Sequence, residues 1–183
     1  MIGALPTSLM VGGREYGISS DYRTALLIFQ AYNDPDLTDD EKHLTAVRCL
    51  YTEPIPHADV VEAAKQAAWF LGGGDIPKED TGVKVLDWEQ DEHLIFPAVN
   101  RVAGQEVRAL PYLHWWTFLG FLTEMGESVL SAVMGLRQKK ARGERLTKSE
   151  EKYYRDHYDM VHLKHRWSAE EQAENDFVDS LFK

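Results

Sequence analysis

The chain carries a single cysteine, Cys49, among 183 residues, so a small fold stapled by internal disulfides is excluded. No apolar run reaches the roughly twenty residues that span a bilayer. The most apolar stretch, residues 109–122, is shorter and is interrupted by Pro111 and His114. A basic stripe is also missing. Lys and Arg number 20 against 30 Asp and Glu, a formal net charge of -10. Such an acidic surface repels phosphate backbones, which argues against a general nucleic-acid binder. Residues 1–17 contain no charged segment followed by a long apolar one, and the expectation is a cytoplasmic protein. Signatures of catalysis are scarce too. No G-x-S-x-G elbow surrounds a serine. The run Gly72-Gly73-Gly74-Asp75 follows a helical pattern instead of leading into one, so it reads as a helix stop and hinge, not a phosphate cradle.

What is present is a helical pattern. Hydrophobic residues make up 44% of the chain and aromatics 11%, enough to bury a core in one domain or a tightly joined pair. Residues 8–18 hold two short strand-like runs flanking Gly12-Gly13, a pair that supplies the positive φ of a tight hairpin. Ser19-Ser20-Asp21 then offers N-caps for a helix bearing Tyr22, Ala25, Leu26, Ile28 and Phe29, ending before Pro35. Thr38 and Glu41 have capping-box spacing ahead of a helix whose inner face is Leu44, Val47, Leu50 and Tyr51. Cys49, in that helix, reads as a small core residue. A third helix is expected over residues 58–71, with Val60, Val61, Ala64, Ala67, Ala68 and Leu71 as one stripe, widened by Trp69 and Phe70.

Beyond a flexible loop at residues 72–86, Asp87 reads as the N-cap of a helix carrying Leu94, Ile95, Val99 and Val102. After Pro111 a helix over residues 112–122 is apolar nearly all round and is expected to be central. A short helix with Val129, Leu130, Val133 and Met134 follows, then the polar, basic residues 137–145, read as a solvated linker. Helical spacing resumes over residues 147–164, and an acidic tail closes the chain. The expected fold is mainly α, a helical bundle-like domain with a short N-terminal β-hairpin. Its parts are residues 1–71, the loop 72–86, a helical part 87–164 and the acidic tail 165–183, taken together as one compact unit.

Few constellations offer chemistry. Asp159, His162 and His165 recur every third residue, so pairs share a helix face. Zinc, however, needs three or four converging ligands, and no cysteine lies among them, so a solvated face is the better reading. Glu89, Asp91, Glu92 and His93 form a candidate acid–base cluster, but acidic residues near a helix start are favoured by the macrodipole alone. Lys139-Lys140-Ala141-Arg142 is a local basic patch. The aromatics Tyr112, Trp115, Trp116, Tyr153, Tyr154 and Trp167 are the candidate partner-binding residues, since aromatics dominate interaction hot spots. For Trp115 and Phe118, with Leu119 and Leu122, burial in the core is the favoured reading. No catalytic, cofactor or metal site is expected.

Several segments resemble the bacteriophage gene-product-fifteen family of long-tailed phages and prophages. They are Leu5-Pro6-Thr7-Ser8-Leu9, Gly13-Arg14-Glu15-Tyr16-Gly17-Ile18, Asp34-Pro35-Asp36-Leu37-Thr38 and Ala68-Trp69-Phe70-Leu71-Gly72-Gly73-Gly74. Further on come Asp87-Trp88-Glu89-Gln90-Asp91, Tyr112-Leu113-His114-Trp115-Trp116 and Met134-Gly135-Leu136-Arg137, of which Glu89-Gln90-Asp91 with Leu113-His114-Trp115-Trp116 is the most telling pair. The resemblance implies a tail-assembly chaperone, encoded near the tape-measure gene, that is not an enzyme. Such a protein binds the tape-measure protein in several copies in the host bacterial cytoplasm and is absent from the mature virion. A second tail-assembly chaperone and the chain itself are further implied partners. The alternatives are a structural component retained in the tail, or a small enzyme or regulatory protein.

Overall fold

Gly12 and Gly13 take φ of 57° and 75°, both in the left-handed region that suits a two-residue hairpin turn. They join β1 (Ser8–Val11) to β2 (Arg14–Gly17) in antiparallel register, with Leu9 opposite Tyr16. Alternation turns Leu9, Val11 and Tyr16 inward. The computed structural model describes residues 3–75 and 83–181. Within them nine α-helices follow the hairpin: α1 (Tyr22–Tyr32), α2 (Asp39–Leu50), α3 (Val60–Leu71), α4 (Glu92–Ala103), α5 (Trp115–Thr123), α6 (Val129–Ala141), α7 (Lys148–Asp156), α8 (Tyr158–Val161) and α9 (Ala169–Leu181). The fold is therefore mainly α with one N-terminal hairpin.

Helix starts follow the capping chemistry. The Asp21 side chain accepts from the Arg23 N–H at the head of α1, and Thr38 and Glu41 form a reciprocal capping box at α2. Ser128 with Ser131 and Thr147 with Glu150 do the same for α6 and α7. The connection from β2 to α1 is held from both sides by backbone pairing. The Ser19 N–H donates to Leu50 O and the Thr52 N–H to Gly17 O. On the other side the Tyr22 N–H donates to Leu113 O and the Trp115 N–H to Ser20 O.

The main core draws on residues from Leu9 to Leu130, on both sides of the loop. Its centre is aromatic. Tyr22 stacks on Phe118 at 4.8 Å, Phe29 on Trp88 at 5.3 Å, and Trp115 meets Phe29, Trp88 and Phe118 at 5.7–5.8 Å. Offset and edge contacts of this kind add to the area each ring removes from water. Tyr51 joins α2 to α3 by donating its hydroxyl to Ala63 O, and burial, aided by the charge of Glu62, pushes that phenol up to about 12. A smaller cluster of Val133, Leu136 and Val161 packs with Tyr153, Tyr154 and Met160, and Leu94 of α4 touches both clusters.

Several expectations are corrected. The buried face of α3 is Ala63, Ala67, Phe70 and Leu71, while Val61 is 68% exposed and Ala68 also faces solvent. The helix turns its aromatic end inward and rotates the valine stripe out. Cys49 is exposed, one position off the Ala46, Val47 and Leu50 face. The helix after Asp87 begins only at Glu92, because residues 88–91 form a separate turn. α5 starts at Trp115, since Leu113 and His114 are spent on extended backbone pairing with Asp21 and Tyr22. Phe118 is fully buried beside Trp115, but Leu119 and Leu122 are only half-buried against the core. The basic run is no linker. α6 continues to Ala141, where Lys139 and Lys140 suit the negative end of the helix dipole. The helix expected over residues 147–164 breaks at His157, whose φ of -125° leaves the helical region. Of the expected flexible loop, residues 76–82 lie outside the described residues. Lys84 and Val85 beyond them are anchored by hydrogen bonds.

Candidate functional site

The sequence segments that stood out most interlock in space. α3 ends at Gly72-Gly73-Gly74, where Gly73 and Gly74 take positive φ and the three glycine N–H groups return to Ala68, Phe70 and Trp69 O, leaving Leu71 O open to an outside donor. Two adjacent tryptophans add donors here. The Trp115 indole N–H donates to Leu71 O at 3.0 Å and the Trp116 indole N–H to Phe70 O at 2.8 Å. A β-carbon on Gly74 would sit 3.1 Å from the Trp116 ring, so this glycine serves close packing as well as the turn. His114 caps α5: its Nδ1 accepts from the Trp116 N–H, which leaves Nε2 as the donor to Pro6 O at 2.9 Å. One ring thereby ties the chain's start to α5.

Residues 87–91 form a second junction, and their five side chains between them reach α1, α5, α6 and residues 162–166. Asp87 is 2% exposed and contacts Lys84 at 2.8 Å and Arg166 at 2.9 Å. Its Oδ1 also accepts from the N–H groups of Glu89 and Gln90, which caps the turn before α4. Trp88 packs on Phe29 and Trp115. Glu89 accepts from Gln30 and pairs with Arg166. Gln90 donates to His162 O and accepts from the Lys164 N–H. Asp91, with no exposed surface, makes a two-point pair with Arg137 at 2.5 and 2.8 Å. Arg137 spends its other donors on the carbonyls of Val85, Met160 and Val161. Among the described residues no buried side-chain nitrogen or oxygen lacks a partner. The cluster is saturated by its own contacts, and its geometry is that of a brace.

The brace has a pH signature. Burial alone would raise the Asp87 carboxyl, but the Gln90 N–H and the Lys84 and Arg166 cations outweigh it and hold the group well below the usual carboxylate range. A carboxyl depressed on folding stabilises fully above its unfolded pKa, about 4, and that contribution is lost as pH falls through and below this value. Unfolding free energy measured by denaturant titration is therefore expected to fall between about pH 5 and pH 2. Asp87→Asn, less stable than the parent at pH 7, should fall less over that window; parallel acid limbs would contradict the assignment.

The six candidate aromatics lie in different places. Trp115 has no exposed surface and belongs to the core. Tyr112 is 52% exposed and shares a hydrogen bond with Ser20. Trp116 is half-buried against Trp69. Tyr153 and Tyr154 flank the smaller cluster, with the Lys140 ammonium 3.9 Å above the Tyr154 ring centre. Trp167, 50% exposed, lies beside the loop joining α1 to α2. The histidines flanking α7 and α8 lie against aromatic rings, His157 with Tyr153, His162 with Tyr158 and His165 with Trp167. Among the described residues no three His, Cys, Asp or Glu side chains converge as a metal site would require.

Among the described residues, two of the apolar grooves are lined by none of the six candidates, whereas Tyr153 and Trp167 each line another depression. The first, about 320 Å³, runs between α1 and α4 over Leu26, Leu27, Trp88, Ile95 and Phe96, with Leu27 59% exposed. The second, about 680 Å³, lies between α2 and α3 over Leu44, Val60, Val61, Ala64 and Ala68, rimmed by Arg48, Lys65, His43 and His57, with Asp40 at the start of α2. Sequence reasoning missed both as surfaces because it placed the apolar stripes it named on these helices in the core and left Leu27 and Phe96 unassigned. The signal was there: Ala25 to Phe29 is apolar without a break, wider than the one stripe a surface helix buries.

Residues 1–163 match the family described as Bacteriophage Gp15 protein. No curated protein and no solved structure matches the chain.

Proposed function

Because the chain belongs to the bacteriophage Gp15 protein family, which it matches over residues 1–163, we propose that it is a tail-assembly chaperone. In this reading it binds the tape-measure protein in the host cytoplasm, keeps it soluble before the tail tube polymerises, leaves before the virion matures, and catalyses nothing. Family membership is the observation that carries the proposal. The physical problem is plain: a long helical client exposes apolar stripes that aggregate before assembly. A helical partner covers such stripes by helix-in-groove contact, and a net charge of -10 keeps the complex soluble. The groove between α1 and α4 suits the client, because half-buried Trp88 and Leu26 line it and Leu27 stands 59% exposed at its edge, an apolar surface with one aromatic of the kind found at interaction hot spots.

The test is capture of co-expressed tape-measure segments by the tagged chain. Leu27→Glu, at an exposed position of the groove, is expected to weaken capture about tenfold or more while melting like the parent. Because apolar contact dominates, raising salt to about 0.5 M should leave capture largely intact. Capture unaffected by Leu27→Glu would remove this groove from the account. Finding the protein in purified virions would instead favour a component retained in the tail.

A further inference from the structure

α9 is a helix at the surface of the protein. Its residues from Ala169 to Val178 are all exposed. Its start is nevertheless fixed. Ser168 and Glu171 cap each other reciprocally, the Ala169 N–H donates to Asp36 at 2.7 Å, and Arg166 just before it is paired with Asp87 and Glu89. Anchored there, α9 is a preorganised element. It is strongly acidic, with Glu170, Glu171, Glu174 and Asp176 and no lysine or arginine. Ala169, Ala173 and Phe177 recur every fourth residue, which places them along one face.

The α2–α3 groove is its complement in charge and length. In a chain of net charge -10 the groove carries Arg48 and Lys65 on its rim, with His43 and His57, against the single carboxylate of Asp40. Its floor is aliphatic and small-residue, and Val61, at 68% exposed, stands at its edge. α2 and α3 have 12 residues each and α9 has 13, so both surfaces run about 18–20 Å. We infer that the α2–α3 groove receives the acidic helix α9 of a second copy of this chain, joining copies through two different surfaces. A contact of this kind links one copy to the next, which is the geometry that places several chaperones along one long client. Preorganisation of α9 lowers the ordering cost of the contact, and the opposed charges steer it at a distance.

The contact requires no client, so it is tested on the full chain alone. Sedimentation velocity over a wide concentration range should show a mass that rises with concentration, and raising salt from about 0.05 to 0.5 M should weaken the association, because the rim charges become screened. Val61→Glu is expected to weaken it about tenfold or more. Lys65→Glu and Glu174→Lys should each weaken it as well, with circular dichroism and melting unchanged because all three positions are exposed. A chain that stays monomeric at every concentration, or that associates equally well as Val61→Glu, overturns the inference. A monomer whose α2–α3 amides are protected from exchange by its own α9 overturns it too. Capture of tape-measure segments by a monomeric Val61→Glu would separate this contact from client binding, because the two grooves share no lining residue.

Discussion

Replacing Arg137 with methionine is expected to destabilise the protein by about 3–5 kcal/mol, the range for removing one member of a buried ion pair. Its side chain is 4% exposed and that of Asp91 1%, so the variant leaves a carboxylate in the interior with its main partner gone. Three carbonyls, of Val85, Met160 and Val161, lose their donor in the same step. Differential scanning calorimetry should show a drop in Tm of roughly 6–20 °C for a chain of this size. The pair also has a diagnostic in additivity. Asp91→Asn combined with Arg137→Met should cost clearly less than the two single changes summed, because each single change already breaks the shared interaction. A single variant within about 0.5 kcal/mol of the parent, which is ordinary for a surface position, would mean that the pair does not brace the fold.

Trp115→Ala should be as severe, about 3–5 kcal/mol, for a different reason. The indole has no exposed surface and touches Phe29, Trp88 and Phe118, so truncation opens a cavity that the braced surroundings cannot collapse to fill. The change also removes the donor on Leu71 O at the end of α3. Trp115→Phe restores most of the volume without that donor, and should therefore recover the larger part of the loss. Thermal melts of the two variants check this. A Trp115→Ala protein that melts like the parent yet fails to capture its client would place the residue on the binding surface and not in the core.

The two variants mark the boundary of what the sequence made legible. Local signals read correctly: the Gly12-Gly13 turn, the Asp21 cap and the Thr38–Glu41 box all depend on residues a few positions apart. Burial of Trp115 and Phe118 was legible because their segment is so apolar. Arg137 was not. It opens a basic run that looks solvated, and the carboxylate that makes its burial tolerable lies 46 positions away. The rotation of α3 was hidden for a related reason. Two apolar stripes compete on that helix, and the choice of Ala63, Ala67 and Phe70 over Val61 and Ala68 is made by the hairpin and α2 packed against it. What that rotation leaves outside is the α2–α3 groove. The candidate aromatics were chosen by residue type alone, while the grooves arise where neighbouring helices leave apolar residues uncovered.

The segments that carried the family resemblance turn out to be joints. At Gly72-Gly73-Gly74 the indoles of Trp115 and Trp116 bond the end of α3, and residues 87–91 bind α1, α6 and the stretch leading to α9 into one framework. This accounts for such polar residues in a protein proposed to perform no chemistry: they hold helices in place so that grooves between them keep their shape.

The most direct test of that proposal is the solubility of the client. A phage tape-measure protein would be expressed alone and together with this chain, and the soluble fraction quantified and its complexes weighed by native mass spectrometry. The account predicts an insoluble client alone and a soluble complex on co-expression, with several copies of this chain per client. A client equally insoluble in both cases, with no complex recovered, would contradict it.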